Sequence, residues 1–219
     1  MRINGLLALA TAFAAFGTVE VSAQTPAGAS PIVEGTHYRR ITPAQPTSSE
    51  TGQIEVAEVF MYSCPACYSF EPLLARWEAT KADNVNFIRI PASFNAIAVL
   101  HAKAFYTAEA LGIVDQIHGP FFEEFHQKRN ALDSEAALSD FFGRFGVDKA
   151  TFKDTFNSFA VHTKVQRADD LIKRYRVPST PTIVVNGKYL TNGQMAGSYE
   201  AWFRVIDQLA AAEASAAAP

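Results

Sequence analysis

The chain has 219 residues, 19 basic against 22 acidic side chains, a net charge of −3 and 48% hydrophobic residues, 17 of them phenylalanines. It is long and apolar enough to bury a core, and its charges are mixed along the sequence without a basic block, which argues against nucleic acid as a partner. Two cysteines permit at most one bridge, which excludes a disulfide-rich scaffold.

Residues 1–23 read as a secretory signal. Arg2 supplies the positive end, residues 5–19 are apolar or small apart from threonine, and Val21-Ser22-Ala23 offers a small-residue cleavage site. Ala27-Gly28-Ala29 is a second permissive site. An uncleaved anchor is the competing reading, but the run is short for a membrane span and Glu20 closes it. No cysteine follows the run to carry a lipid. Export is therefore expected, and in an oxidising compartment a lone cysteine pair belongs to making or rearranging disulfides.

Residues 24–31, rich in alanine, glycine and proline, read as a flexible lead-in, 37–41 as a short edge strand and 42–52 as a loop. The apolar run 54–62 reads as a buried strand. A helix is expected from Pro65 to about Lys81, with Leu73, Leu74 and Trp77 at helical spacing and Pro72 kinking it rather than ending it. Both cysteines, Cys64-Pro65-Ala66-Cys67, then fall on the first helical turn. Unpaired N–H groups and the helix dipole would stabilise a thiolate at Cys64, and Cys67 lies one turn deeper, close enough to bridge. Pro65 suits a turn that has no use for its missing N–H. A structural staple and half of a zinc site are the competing readings. The first constrains little chain, and the second lacks partners, because His37, His101, His118, His126 and His162 show no ligand spacing and read as surface or helix-face residues.

Residues 85–90 alternate like a second strand, parallel to the first given the crossover between them. Residues 96–176 read as helical throughout. One helix ends near Gly112, and another follows Pro120 with Phe121, Phe122 and Phe125. A third is capped by Ser134, a fourth begins at Asp148 with Phe152, Phe156 and Phe159, and a longer stretch runs from His162. These phenylalanines recur at core spacing; a ligand-binding aromatic box among them is the alternative. Then Val177-Pro178-Ser179-Thr180-Pro181 leads into 182–185, Asn186-Gly187 forms a type I′ hairpin turn, and a last helix runs from Gly197-Ser198 to Leu209 before an alanine-rich tail.

Strand, Cys-x-x-Cys helix, strand, helical block, proline-led hairpin and helix together resemble the DsbA family of exported thiol–disulfide oxidoreductases. The resemblance is carried by Phe60-Met61-Tyr62-Ser63-Cys64-Pro65-Ala66-Cys67-Tyr68-Ser69-Phe70-Glu71-Pro72 and by Thr180-Pro181-Thr182-Ile183-Val184-Val185-Asn186-Gly187-Lys188-Tyr189. It implies an α/β thioredoxin fold interrupted by an all-helical domain. The divisions are 1–23 signal, 24–95 and 177–210 thioredoxin domain, 96–176 helical domain and 211–219 flexible tail. It also implies Cys64 as nucleophile, Cys67 as its resolving partner, Pro181 (rather than Pro178) as the cis-proline of the substrate loop, Glu58 as the buried acid beneath the disulfide and Arg89 as its basic companion. Two positions depart from the family. Ala66 stands where histidine is frequent and so offers no cation to the thiolate, and Thr180 stands where valine is found in the best-known members. Pro65, Ala66 and Thr180 are thus expected to tune the redox pair, with Cys64 more acidic than an ordinary thiol but less so than in histidine-bearing members.

The function implied is donation of the Cys64–Cys67 disulfide to newly exported cysteine-containing proteins in the periplasm. No cofactor or metal is expected. The resemblance further implies a monomer reoxidised by a quinone-linked membrane partner of the DsbB type. The alternatives are a disulfide isomerase or reductase, or a periplasmic binding protein with a passive disulfide.

Overall fold

A computed structural model describes residues 31–217. The signal and the start of the lead-in therefore lie outside the described residues. Five strands form one sheet: β1 (Arg39–Arg40), β2 (Ile54–Phe60), β3 (Val85–Pro91), β4 (Thr182–Val185) and β5 (Tyr189–Thr191), in the order β1-β5-β4-β2-β3. β2 runs parallel to β3, from Ile54 opposite Val85 to Phe60 opposite Pro91, and antiparallel to β4. All seven β2 residues are buried, because both faces of the sheet are covered. Its side chains alternate as a pleated strand requires. Ile54 and Val56 pack with Phe70, Leu74, Trp77 and Trp202, whereas Ala57 and Val59 join the core of the helical block.

The helix after β2, α1 (Pro65–Glu78), has Pro65 in its first turn and continues through Pro72. Cys64 is its N-cap, in extended conformation (φ −89°, ψ 116°), so only Cys67 of the pair is helical. Between β3 and β4 stand α2 (Ala96–Ala110), α3 (Val114–His126), α4 (Glu135–Gly143), α5 (Lys149–Phe156) and α6 (Phe159–Tyr175). Capping side chains set the starts of four of them. Asn95, Ser134, Asp148 and Ser158 accept hydrogen bonds from backbone N–H groups of the first turns of α2, α4, α5 and α6. Phe121, Phe122, Phe142, Phe152 and Phe156 are at most 2% exposed, so these rings are core. Each such burial is worth about 2–3 kcal/mol.

Three expectations need correction. Pro120 does not precede its helix but sits inside α3, where the buried stripe of Ile117, His118, Phe121 and Phe122 holds one helix together across it. Phe159 is not the end of α5. The chain breaks at Asn157, Ser158 caps α6, and Phe159 is left 84% exposed at its start. The tail assigned to 211–219 is helical to Ala217, because α8 (Tyr199–Ala217) follows the short α7 (Gly193–Ala196) and keeps an inward face beyond Leu209. Its Glu213 is buried and accepts hydrogen bonds from Asn186 (2.7 Å), Lys188 (2.5 Å) and Tyr189 (3.0 Å) of the β4–β5 hairpin. That hairpin turns through Asn186 (φ 51°) and Gly187 (φ 63°), both left-handed as a type I′ turn demands. Gly187 has a second reason to be glycine, since a Cβ there would meet the Gln45 carbonyl oxygen at 2.1 Å. No helix among the described residues is long and apolar enough to cross a membrane.

Candidate active site

Cys64 and Cys67 are both free thiols at the junction of β2 and α1. Cys64 lies at the rim, with its sulfur facing the loop before β4, and its Sγ donates to the Thr180 carbonyl at 3.3 Å. Cys67 is completely buried. This difference separates two chemically identical groups. The Cys64 thiol is pushed down to about 5, chiefly because its thiolate accepts a hydrogen bond from Cys67. Partial burial opposes the shift, and the Thr180 side chain and the backbone N–H groups of Cys67 and Ala66 assist it. Once ionised, Cys64 can no longer donate to the Thr180 carbonyl, and the nearby Thr180 side chain favours the thiolate. Cys67 moves far the other way, through burial, its donation to Cys64 and the negative charge of Glu58. One sulfur is a thiolate at neutral pH and the other keeps its proton.

The Thr180–Pro181 bond is cis, and this loop faces Cys64. The Thr42–Pro43 bond is also cis, which nothing in the local sequence pattern marks. Beside the cysteines Ala66, Ser179, Thr180, Pro181, Tyr199 and Trp202 line an open groove. Pro65 occupies the helix start, and Ala66 contributes its backbone N–H to Cys64 and its methyl to the groove.

Glu58, on the β2 face beneath α1, is wholly buried, and neither carboxyl oxygen has a hydrogen-bond partner. Arg89 stands opposite it in the β2–β3 register, with Nε 3.7 Å from Glu58 Oε2. Burial, together with the charge of Glu71, raises Glu58 well above the carboxylate range against the opposing pull of Arg89. A carboxyl group in this setting is biased toward its protonated form.

Reading the sequence missed four neighbours. Glu71 Oε1 accepts from Arg89 Nη2 at 2.7 Å and lies 3.3 Å from His118 Nε2, and His118 Nδ1 is 2.8 Å from the Tyr62 hydroxyl. His126 Nε2 is 2.8 Å from the Tyr62 carbonyl, and its ring stacks on Tyr68. His101 and His118 are buried, not surface residues, because α2 and α3 close over Tyr62. The signal available was Tyr62 and Glu71 themselves, polar groups adjoining the cysteines in a segment otherwise suited to a core.

Three comparisons agree. The family described as DSBA-like thioredoxin domain matches residues 55–201. The chain is 36% identical over 195 residues to the thiol:disulfide interchange protein DsbA of Burkholderia cepacia, covering 89% of each chain. It is 37% identical over 211 residues to DsbA of Pseudomonas syringae pv. tomato, covering 96% of this chain and 97% of that one. The crystal structure of Pseudomonas aeruginosa DsbA superposes with a TM-score of 0.79 at 37% identity, over 84% of this chain and 95% of that one.

Proposed function

The chain belongs to the DsbA family and is a thiol:disulfide oxidoreductase with a thioredoxin fold interrupted by helices, and we propose that it donates its Cys64–Cys67 disulfide to exported proteins. The observation that carries this reading is the divergence of the two thiols. A stable Cys64 thiolate is a good leaving group and favours the dithiol product, so the disulfide is a strong oxidant.

In the reaction a substrate thiolate attacks Cys64 Sγ, the Cys64–Cys67 bond breaks, and Cys67 leaves with the bond's electrons. Cys67 cannot remain an anion in its buried site, so it takes the proton of Glu58. A second substrate thiolate then attacks the substrate sulfur of the mixed disulfide. The substrate disulfide forms, and Cys64 departs as a thiolate. The substrate has lost two electrons and two protons. The enzyme has gained the electrons and one proton on Cys67; the other proton goes to solvent, from which Glu58 is recharged. Pro181 and Thr180 hold the substrate segment across the groove by backbone pairing. Pro65, Ala66 and Thr180 tune the pair, and with Ala66 uncharged the tuning falls chiefly to the Cys67 thiol, then to the Thr180 hydroxyl and the backbone N–H groups.

On the same reading the protein works as a periplasmic monomer after removal of residues 1–23, with 96–176 as a helical insertion domain. A quinone-linked membrane protein of the DsbB type reoxidises it. The test is equilibration of the pair with a glutathione buffer, alongside urea unfolding of both redox forms. A strongly oxidising potential, with the dithiol form the more stable, supports the donor role. A potential near that of thioredoxin overturns it in favour of a reductase or isomerase.

A further inference from the structure

Tyr62, two residues before Cys64, is held by histidines from two helices of the inserted block. His118 meets its hydroxyl at 2.8 Å, His126 meets its carbonyl at 2.8 Å, and the His101 ring lies edge-on at 6.1 Å between centroids. His118 reaches further. It is buried, and its Nε2 looks onto Glu71 at 3.3 Å. Beyond it come Arg89 and then Glu58, under the cysteines. Of the nine buried side-chain polar atoms without a hydrogen-bond partner among the described residues, five belong to Glu58, Glu71, Arg89 and His118. A structural salt-bridge network would satisfy these atoms; one that must accept and surrender a proton cannot satisfy them in every state.

The tautomer of His118 follows from its two neighbours. If Nδ1 carried the hydrogen, the Nε2 lone pair would face the Glu71 carboxylate and the phenolic hydrogen would lose its acceptor. With the hydrogen on Nε2, Tyr62 donates to Nδ1, and the Nε2–H group lies 3.3 Å from Glu71 Oε1, an electrostatic contact rather than a formed hydrogen bond. Protonating both nitrogens is opposed by burial and by Arg89, which together outweigh the pull of Glu71 and Glu78.

We propose that His118 is a positioning residue for the proton that Cys67 requires: as the neutral Nε2–H tautomer set by Tyr62, it keeps Glu71 ionised and so confines the transferable proton to Glu58. The inference rests on the oxidase reading above and adds a residue to it. Glu71 and Glu58 compete for one proton. Whichever is the better stabilised by nearby donors and positive charge becomes the anion. Glu71 accepts a hydrogen bond from Arg89 at 2.7 Å and has the His118 Nε2–H dipole 3.3 Å away, while Glu58 has only Arg89 Nε at 3.7 Å. The remaining charged or titratable groups facing His118 are Glu78 of α1 and, behind Tyr62, His101 of α2. Without His118 the proton spreads over both carboxyl groups, and the fraction resting on Glu71 is of no use to Cys67.

The test compares the wild type with His118→Leu, His118→Gln and Tyr62→Phe. The first readout is oxidation of a dithiol peptide from pH 5 to 9. The second is the infrared spectrum of each redox form in the carboxylic-acid carbonyl region, assigned by difference against Glu58→Gln and Glu71→Gln. Wild type is expected to show one protonated-carboxyl band that Glu58→Gln abolishes. His118→Leu should move part of that intensity to a band that Glu71→Gln abolishes, and should lower kcat at pH 7 about tenfold with KM unchanged. His118→Gln, which restores an N–H donor, should recover most of the rate. If His118→Leu does not fold, Tyr62→Phe decides, because freeing the tautomer should produce the same redistribution in smaller degree. A folded His118→Leu, or failing it a Tyr62→Phe, with wild-type band pattern and pH profile overturns the role of His118. A wild type that oxidises no dithiol instead removes the oxidase premise.

Discussion

Acidification should destabilise the dithiol protein specifically, by an amount that Cys64 sets. Its thiol titrates near 5 in the folded chain, against about 8.5 when unfolded. The folded value is the depressed one, so the stabilisation is complete above the unfolded value and is lost as pH falls through 5. At pH 7 two of the pH units between the two values contribute, worth about 3 kcal/mol before screening. Cys64 is 9% exposed but borders an open groove whose water screens the thiolate, which reduces the expected effect to about 1–2 kcal/mol. The disulfide form has no thiolate and lacks this contribution, so the difference between the two redox forms isolates it. The assay is urea unfolding of both forms at pH 4.5 and 7, with thiolate absorbance followed in parallel. The gap in midpoints should widen by about 0.5–1 M urea at the higher pH. A gap that stays constant, or a thiolate that titrates above pH 8, would refute the argument.

Replacing Glu58 with leucine removes a buried, unpartnered carboxyl while Arg89 keeps its bond to Glu71, and should stabilise the protein by about 1–3 kcal/mol near pH 7.5 while slowing disulfide donation. The folded value of Glu58 is raised, so its cost is absent below about pH 4 and grows as pH climbs toward that value; denaturation at pH 4 should show little of the gain. Thr180→Val removes the hydroxyl available to the thiolate and should raise the Cys64 value, read by thiolate absorbance; an unchanged titration would assign the shift to the backbone and Cys67 alone. Glu213→Ala leaves three hairpin donors without their acceptor and should cost about 1–3 kcal/mol in chemical denaturation, where a flexible tail would cost nothing.

What the sequence made legible is what local chemistry decides. Cys64-Pro65-Ala66-Cys67 after an apolar strand specifies a helix start, and Asn186-Gly187 specifies its turn, without any knowledge of the rest of the chain. Glu58 was visible as a charge inside an apolar run. Glu71 and His118 were not, because their meaning depends on α3 crossing over α1, and no spacing within either helix encodes that. Pro120 misled because proline is most at home in a first turn; here packing of Ile117 against the same core as Phe121 outweighs the roughly 3 kcal/mol that an interior proline costs. The alanine-rich end misled for the opposite reason. Alanine is the best intrinsic helix former but gives little amphipathic contrast, and the residue that anchors the segment, Glu213, looks like an ordinary surface charge until the hairpin is in place.

The hydrogen bond between Cys64 and Thr180 joins residues 116 positions apart in the chain. A ribosome delivers the cysteines long before the loop that completes their surroundings. The helix-start N–H groups are available early, but burial of Cys67 and the partner at position 180 arrive only with the last third of the polypeptide. A half-made chain can already set the Cys67 donor and the helix-start N–H groups against Cys64, but it lacks the Thr180 share of the tuning. That share and the facing loop arrive only near the end of synthesis, so the finished environment of the pair depends on the whole chain.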